Sequence, residues 1–131
     1  MISPDTNVLV RVLTNDDEKQ ADVAAAVLSA NDVYLAKTVL LELEWVLRYS
    51  YGFEREAVNG ALLSLLGLGN AVFEDAESVE RAIALHGGGM DFADALHLAS
   101  SRIADEFVTF DRRLATSAGA GTELPEIRLL R

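Results

Sequence analysis

The chain contains no cysteine, which excludes a disulfide framework, a thiol nucleophile, a thiolate zinc site and an iron–sulfur cluster, and suits a reducing compartment. Histidine occurs only twice. An imidazole-rich zinc site is therefore not expected, and any metal must bind oxygen or histidine. Basic charge is scarce, with 11 Lys and Arg against 21 Asp and Glu, a net charge of −10 and a pI near 4.5. Lys and Arg supply most non-specific affinity for nucleic acid, so the overall balance argues against such binding. Long apolar runs are also missing: Arg11, Glu42, Glu44 and Arg48 interrupt the best candidates for the ~20 residues that a membrane-spanning helix needs. The start, Met1-Ile2-Ser3-Pro4-Asp5, lacks the basic and apolar regions of a secretory signal. A soluble, cytoplasmic protein without membrane association is expected.

What is present suffices for a core. Half of the 131 residues are hydrophobic, at a length where roughly two-thirds of the unfolded surface can be buried. That excludes disorder as the main state and predicts a single domain over residues 1–131. There is no internal repeat, linker or low-complexity segment.

Apolar periodicity places a short β-compatible segment over Ile2 to Val8 running into a helix over Asn7 to Leu13, which stops at Thr14-Asn15-Asp16-Asp17. A second helix covers Asp16 to Ala30 and leads to a strand at Val33 to Ala36. Thr38 is read as the cap of a long helix to Tyr49, followed by a helix over Glu54 to Leu66 and a brief strand at Ala71 to Phe73. Gly87-Gly88-Gly89 separates helices at Ala76 to Leu85 and Asp91 to Ile103. The remainder is a strand at Asp105 to Phe110, a short helix at Asp111 to Ser117, a loop at Ala118 to Thr122 and a strand at Glu126 to Leu130. Short apolar strands alternating with helices predict an α/β fold with a mostly parallel sheet covered on both faces. Sites in such sheets gather beyond the carboxyl ends of the strands.

Four acids stand out by position. Asp5, after the first strand, is explained by a helix cap or by a carboxylate held at the sheet edge. Glu42 falls nearly opposite Lys37, Glu44 and Arg48 on its helix, among Val39, Trp45, Val46 and Tyr49. If that apolar face packs inward, Glu42 goes with it and needs a metal ion or a buried hydrogen-bond network, whereas Glu44 and Arg48 read as an ordinary surface pair. Asp91 is a good N-cap for its helix. Asp94 lies beside the stripe Phe92, Leu96, Ala99 and Ile103, on a face shared with His97 and Ser101. His97 is expected to make a local hydrogen bond rather than ligate metal. Asp111, at a strand end and a helix entrance, again suits a cap or a site carboxylate. Converging carboxylates repel one another without cations, and oxygen-only ligands suit Mg²⁺ or Mn²⁺.

In their order and spacing, Asp5-Thr6-Asn7-Val8-Leu9, Leu41-Glu42-Leu43 with Trp45-Val46-Leu47, Asp91-Phe92-Ala93-Asp94-Ala95-Leu96-His97-Leu98-Ala99 and Val108-Thr109-Phe110-Asp111 resemble the PIN-domain family, and within it the VapC-type ribonuclease toxins. The resemblance spans essentially the whole chain. It implies a three-layer α/β/α fold and a metal-dependent endoribonuclease with an acidic site of Asp5, Glu42, Asp94 and Asp111. Asp5 and Asp94 would be direct ligands of Mg²⁺ or Mn²⁺; Glu42 and Asp111 would hold a second ion or bind through water. Asp91 would add a further acid, and Thr6 and Asn7 would hydrogen-bond a carboxylate or the attacking water. It also implies an RNA substrate, a cognate VapB-like antitoxin and a homodimer, for which an exposed apolar patch between Thr38 and Leu66 is a plausible surface.

The acidic charge must then be overcome locally, by metal and by Arg11, Lys37, Arg48, Arg112 or Arg113. Arg112 and Arg113 lie nearest a candidate ligand and are the expected RNA contacts; the alternative for both is a solvated helix terminus. Ser3-Pro4 departs from the family's apolar first strand and predicts a short or bent one. Three other functions fit the sequence less well. An Asp-nucleophile phosphohydrolase of the haloacid-dehalogenase type needs an acid where Asn7 stands. A receiver domain needs an acidic pair near the N-terminus, which is lacking. A catalytically inactive, protein-binding PIN-like module has no use for four acids.

Overall fold

The computed structural model describes residues 1–117 and 123–131, so the expected loop at Ala118 to Thr122 lies outside the described residues. The chain forms two compact units, Met1–Ala76 and Glu77–Arg131. Both are mixed α/β, and every strand pair among the described residues is parallel, as expected.

In the first unit, α1 (Thr6–Thr14) and α2 (Glu18–Ser29) precede β1 (Val33–Leu35), and α3 (Lys37–Tyr49) and α4 (Arg55–Leu66) cross over to β2 (Ala71–Phe73). Val33 pairs with Ala71 and Leu35 with Phe73. The expected first strand shrinks to one bridge between Ile2 and Val33. Ile2 donates its N–H to the Asp32 carbonyl at 2.8 Å and accepts from the Tyr34 N–H at 2.7 Å. The next N–H facing that way would belong to residue 4, a proline with no hydrogen to give, so pairing ends there.

Local chemistry fixes most of the helix ends. Asn15 takes the left-handed conformation, φ 53°, that closes α1, a conformation Asn tolerates better than most residues. Asp17 caps α2 by accepting from the Gln20 N–H. The expected cap of α3 is corrected by the structure: Thr38 lies inside the helix, Ala36 holds the cap position, and no side chain caps locally. Glu74, just past β2, accepts from the Lys37 N–H at 3.1 Å instead, a satisfaction of a free helix donor that only the folded chain can supply. Leu40, Leu43 and Leu47 of α3 and Val58 and Leu62 of α4 are fully buried, at the three- and four-residue spacing of an amphipathic helix.

In the second unit, α5 (Ala76–Gly87) and α6 (Phe92–Ser100) are followed by β3 (Glu106–Thr109), α7 (Arg112–Ser117) and β4 (Glu126–Leu129). Gly89, at φ +116°, makes the turn after α5, a conformation that favours glycine. Phe107 pairs with Ile127 and Thr109 with Leu129. Phe92, Leu96 and Ala99 are buried as expected, but Ile103 is 96% exposed. The helix stops at Ser100, where the C-cap Ser101 donates its N–H to the Leu98 carbonyl at 3.1 Å, so Ile103 leaves the stripe. No helix among the described residues is long and apolar enough to cross a membrane.

Candidate functional site

In the first unit, Asp5 and Glu42 line one cleft of about 500 Å³ together with Thr6, Asn7, Arg11, Ser50 and Tyr51. Asp5 stands at the N-cap of α1, where its Oδ1 accepts from the adjacent Thr6 N–H at 2.7 Å. Among the described residues its other oxygen has no donor. The cap reading is thus correct in position but uses half of the carboxylate.

Thr6 is 4% exposed, and its Oγ1 is a buried hydroxyl without a partner among the described residues. Such a group costs about 1–3 kcal/mol when left unsatisfied. It stands next to Asp5, where the resemblance expected a hydroxyl that serves a carboxylate or a water.

The structure corrects the reading of α3. Glu42 is exposed, as are Trp45 and Tyr49, while Glu44 is 3% exposed. The inward face is Leu40, Leu43 and Leu47. Eight of the thirteen α3 residues are apolar and surround the axis, so either side qualified from periodicity, and the leucine side packs inward. The Glu44–Arg48 pair is consequently half-buried, with Arg48 Nε 2.7 Å from Glu44 Oε2. The hydrogen bond from this neighbour raises the pKa of the guanidinium above its ordinary value. Glu42 has no ion-pair partner among the described residues and presents its carboxylate to the cleft rather than to the core.

Arg11 forms the cationic wall of that cleft. Its guanidinium donates to Gln20 and, at 3.3 Å each, to Asp16 and to the Tyr51 hydroxyl, which in turn donates to Asp16 at 2.7 Å. That last bond is the main cause holding the Asp16 carboxyl below its ordinary range. Tyr51 and Ser50 went unnoticed in the sequence. A contact between Tyr51 and Asp16, 35 positions apart, leaves no local signal. Lys37 meets Asp75 at 3.5 Å.

The second unit gathers Asp91, Asp94 and Asp111. Asp91 caps α6 through the Asp94 N–H, at 3.3 Å. Asp111 precedes α7 and accepts from the Arg113 and Leu114 N–H groups at 2.9 and 3.4 Å, while Thr109 Oγ1 accepts from its own N–H. Asp94 is partly buried between them. Its carboxyl is pushed above the ordinary value by burial first and then by the charges of Asp91 and Asp111, against the opposing pull of His97 and Arg113. His97, Arg112 and Arg113 are exposed, and Arg113 Nε lies 3.9 Å from Asp111 Oδ1. Among the described residues no three Asp, Glu or His side chains form a ready-made metal cage. Within each unit by itself the donors are of the kind that suits a hard cation: Asp5, Glu42 and the Thr6 hydroxyl in the first, and Asp91, Asp94 and Asp111 in the second.

These features define a class, an α/β protein with short parallel strands and carboxylates concentrated at helix entrances. The chain belongs to the PIN domain family, which matches residues 2–119. PIN domains are a family of nucleases, typically dependent on divalent metals, so membership supports a nuclease role and nucleic-acid binding. No curated protein and no solved structure matches the chain.

Proposed function

We propose that the protein is a metal-dependent endoribonuclease, the toxin component of a VapBC-type pair, with Asp5, Glu42, Asp94 and Asp111 as its functional carboxylates. The observation that carries the reading is Asp94, kept partly buried beside Asp91 and Asp111 at the cost of raising its own pKa. A stable fold gains nothing from that arrangement; a cation site does.

A bound Mg²⁺ or Mn²⁺ would neutralise charge on the phosphate and lower the pKa of a water. Asp5 and Asp94 would hold it directly, with Glu42 and Asp111 on a second ion or acting through water. Thr6 Oγ1 and Asn7 would orient the attacking water, and Arg112 and Arg113 would meet the RNA backbone. The water oxygen forms the new P–O bond as the bond to the leaving ribose oxygen breaks, and that oxygen takes up a proton. The exposed Trp45, Tyr49 and Leu63 of α3 and α4 support a homodimer surface, and an antitoxin peptide bearing Arg or Lys would complement the carboxylates.

The test is digestion of total cellular RNA by the purified protein with Mg²⁺, with chelator, and with Asp94→Asn in parallel. Discrete fragments that require both the metal and Asp94 are expected, as is their loss in Asp5→Ser, which keeps a capping side chain. Undiminished cleavage by Asp94→Asn would refute the site. A folded protein that neither cleaves RNA nor binds Mg²⁺ or Mn²⁺ would overturn the nuclease reading in favour of the protein-binding module.

A further inference from the structure

We infer that Phe110 and Arg112 form a subsite for single-stranded RNA, the ring stacking on an unpaired base and the guanidinium pairing with an adjacent phosphate. The inference rests on the nuclease reading above and deepens it by naming the form of RNA held.

Along β3 the accessible positions alternate, with Phe107 and Thr109 half-buried and Val108 49% exposed. Phe110 continues the outward series past the carboxyl end of the strand and is 76% exposed. An exposed ring offers a flat face on which a nucleic-acid base can stack. The next residue, Asp111, is one of the candidate carboxylates.

Phe110 also lines a cleft of about 680 Å³ with Arg112, Thr116, Leu129 and Arg131, within the ordinary size of a small-ligand site. No Asp or Glu side chain lines it, although the chain carries a charge of −10. Among the described residues, the Arg112 guanidinium has no carboxylate partner, whereas Arg11, Arg48, Arg81, Arg113 and Arg128 each have one. A bare aromatic face beside an uncommitted guanidinium matches a nucleotide, whose base is flat and whose phosphate is anionic. Duplex RNA keeps its bases stacked on one another and offers none to Phe110, so the single strand is the form that fits.

The subsite is tested by anisotropy with fluorescein-labelled oligouridine, which has no secondary structure, in chelator so that no cleavage occurs. Phe110→Ala should weaken binding about tenfold, and Phe110→Leu, apolar but without a ring, nearly as much. Phe110→Tyr and Phe110→Trp should bind as the parent does, with tryptophan quenching on binding to Phe110→Trp beyond any shown by the parent. Arg112→Ala should lower the salt dependence of binding by about 0.7 in log–log slope, the loss of one single-strand phosphate contact. Unchanged melting temperatures would confirm that the variants are folded.

Wild-type affinity in Phe110→Ala or Phe110→Leu would overturn the inference, as would equal competition by an RNA duplex. Equal competition by polyglutamate would do the same and assign the cleft to acidic polypeptide. If the parent cleaves RNA through Asp94 while its affinity ignores Phe110, only the subsite falls; if it neither cleaves nor binds RNA, the nuclease reading falls with it.

Discussion

Replacing Arg48 with methionine measures what it costs to hold the Glu44 carboxylate inside α3. Methionine keeps much of the apolar stem that arginine lays along the helix, so the change isolates the guanidinium. The Glu44 side chain is 4% accessible and that of Arg48 41%, with Nε 2.7 Å from Oε2. Breaking a fully buried pair costs about 3–5 kcal/mol, whereas an exposed pair is worth about 0–1 kcal/mol. One buried and one half-open partner lie between these limits, and we expect a loss of about 2 kcal/mol. With an unfolding entropy of roughly 2.1 cal/mol/K per residue over 131 residues, that loss lowers Tm by about 7 °C. Urea and thermal melts of Arg48→Met, Glu44→Gln and the double variant complete a cycle whose coupling should exceed about 1 kcal/mol and survive high salt, because a buried contact is poorly screened. If Arg48→Met melts within about 1 °C of the parent, Glu44 is solvated in solution and the inward face of α3 is misassigned.

Asp94→Asn should stabilise the metal-free protein at neutral pH. The folded-state carboxyl lies above its ordinary value, so its contribution is whole below about pH 3.9 and is lost as the pH rises through the raised value. The gain in Tm should therefore vanish on acidification, and a variant less stable than the parent at neutral pH would contradict the crowding of Asp91, Asp94 and Asp111. Asp16 has the opposite sign: its carboxyl is lowered chiefly by the Tyr51 hydroxyl, so it stabilises the fold above the ordinary value and that stability is lost as the pH falls through the lowered one. Tyr51→Phe should move the Asp16 titration upward in a carboxyl NMR series; an unmoved titration would mean that the bond does not form in solution.

The elements with strong local signals were legible in the sequence. The pattern of α4, closed by Gly67, and the apolar triplet of β2 appear where periodicity and turn chemistry placed them. Element ends set by distant residues were not legible. Nothing near Thr38 reveals that Glu74 satisfies the first N–H of α3, and the apolar spacing that reaches Ile103 does not show that α6 stops at Ser100. The faces of α3 failed for a related reason. Its aromatics offered the larger apolar area and were read as core, yet α1 and α4 adjoin α3 and the leucine side is buried, a choice that the α3 sequence alone does not encode.

Capping and metal binding are compatible roles for Asp5, Asp91 and Asp111. Each carboxylate spends one oxygen on backbone N–H groups at a helix entrance, Oδ1 in Asp5 and Asp111 and Oδ2 in Asp91. The second oxygen of each has no protein donor among the described residues and is available to a cation. The positive end of a helix also eases the cost of concentrating negative charge, so helix entrances are where a fold can hold carboxylates ready before a metal arrives. That benefit is limited. Asp94 lies in the first turn of α6, where the dipole should favour its charged form, yet burial and two like neighbours push its carboxyl upward. Burial and the charges of Asp91 and Asp111 therefore outweigh the helix dipole at Asp94, and a cation bound there, as proposed, would relieve that cost.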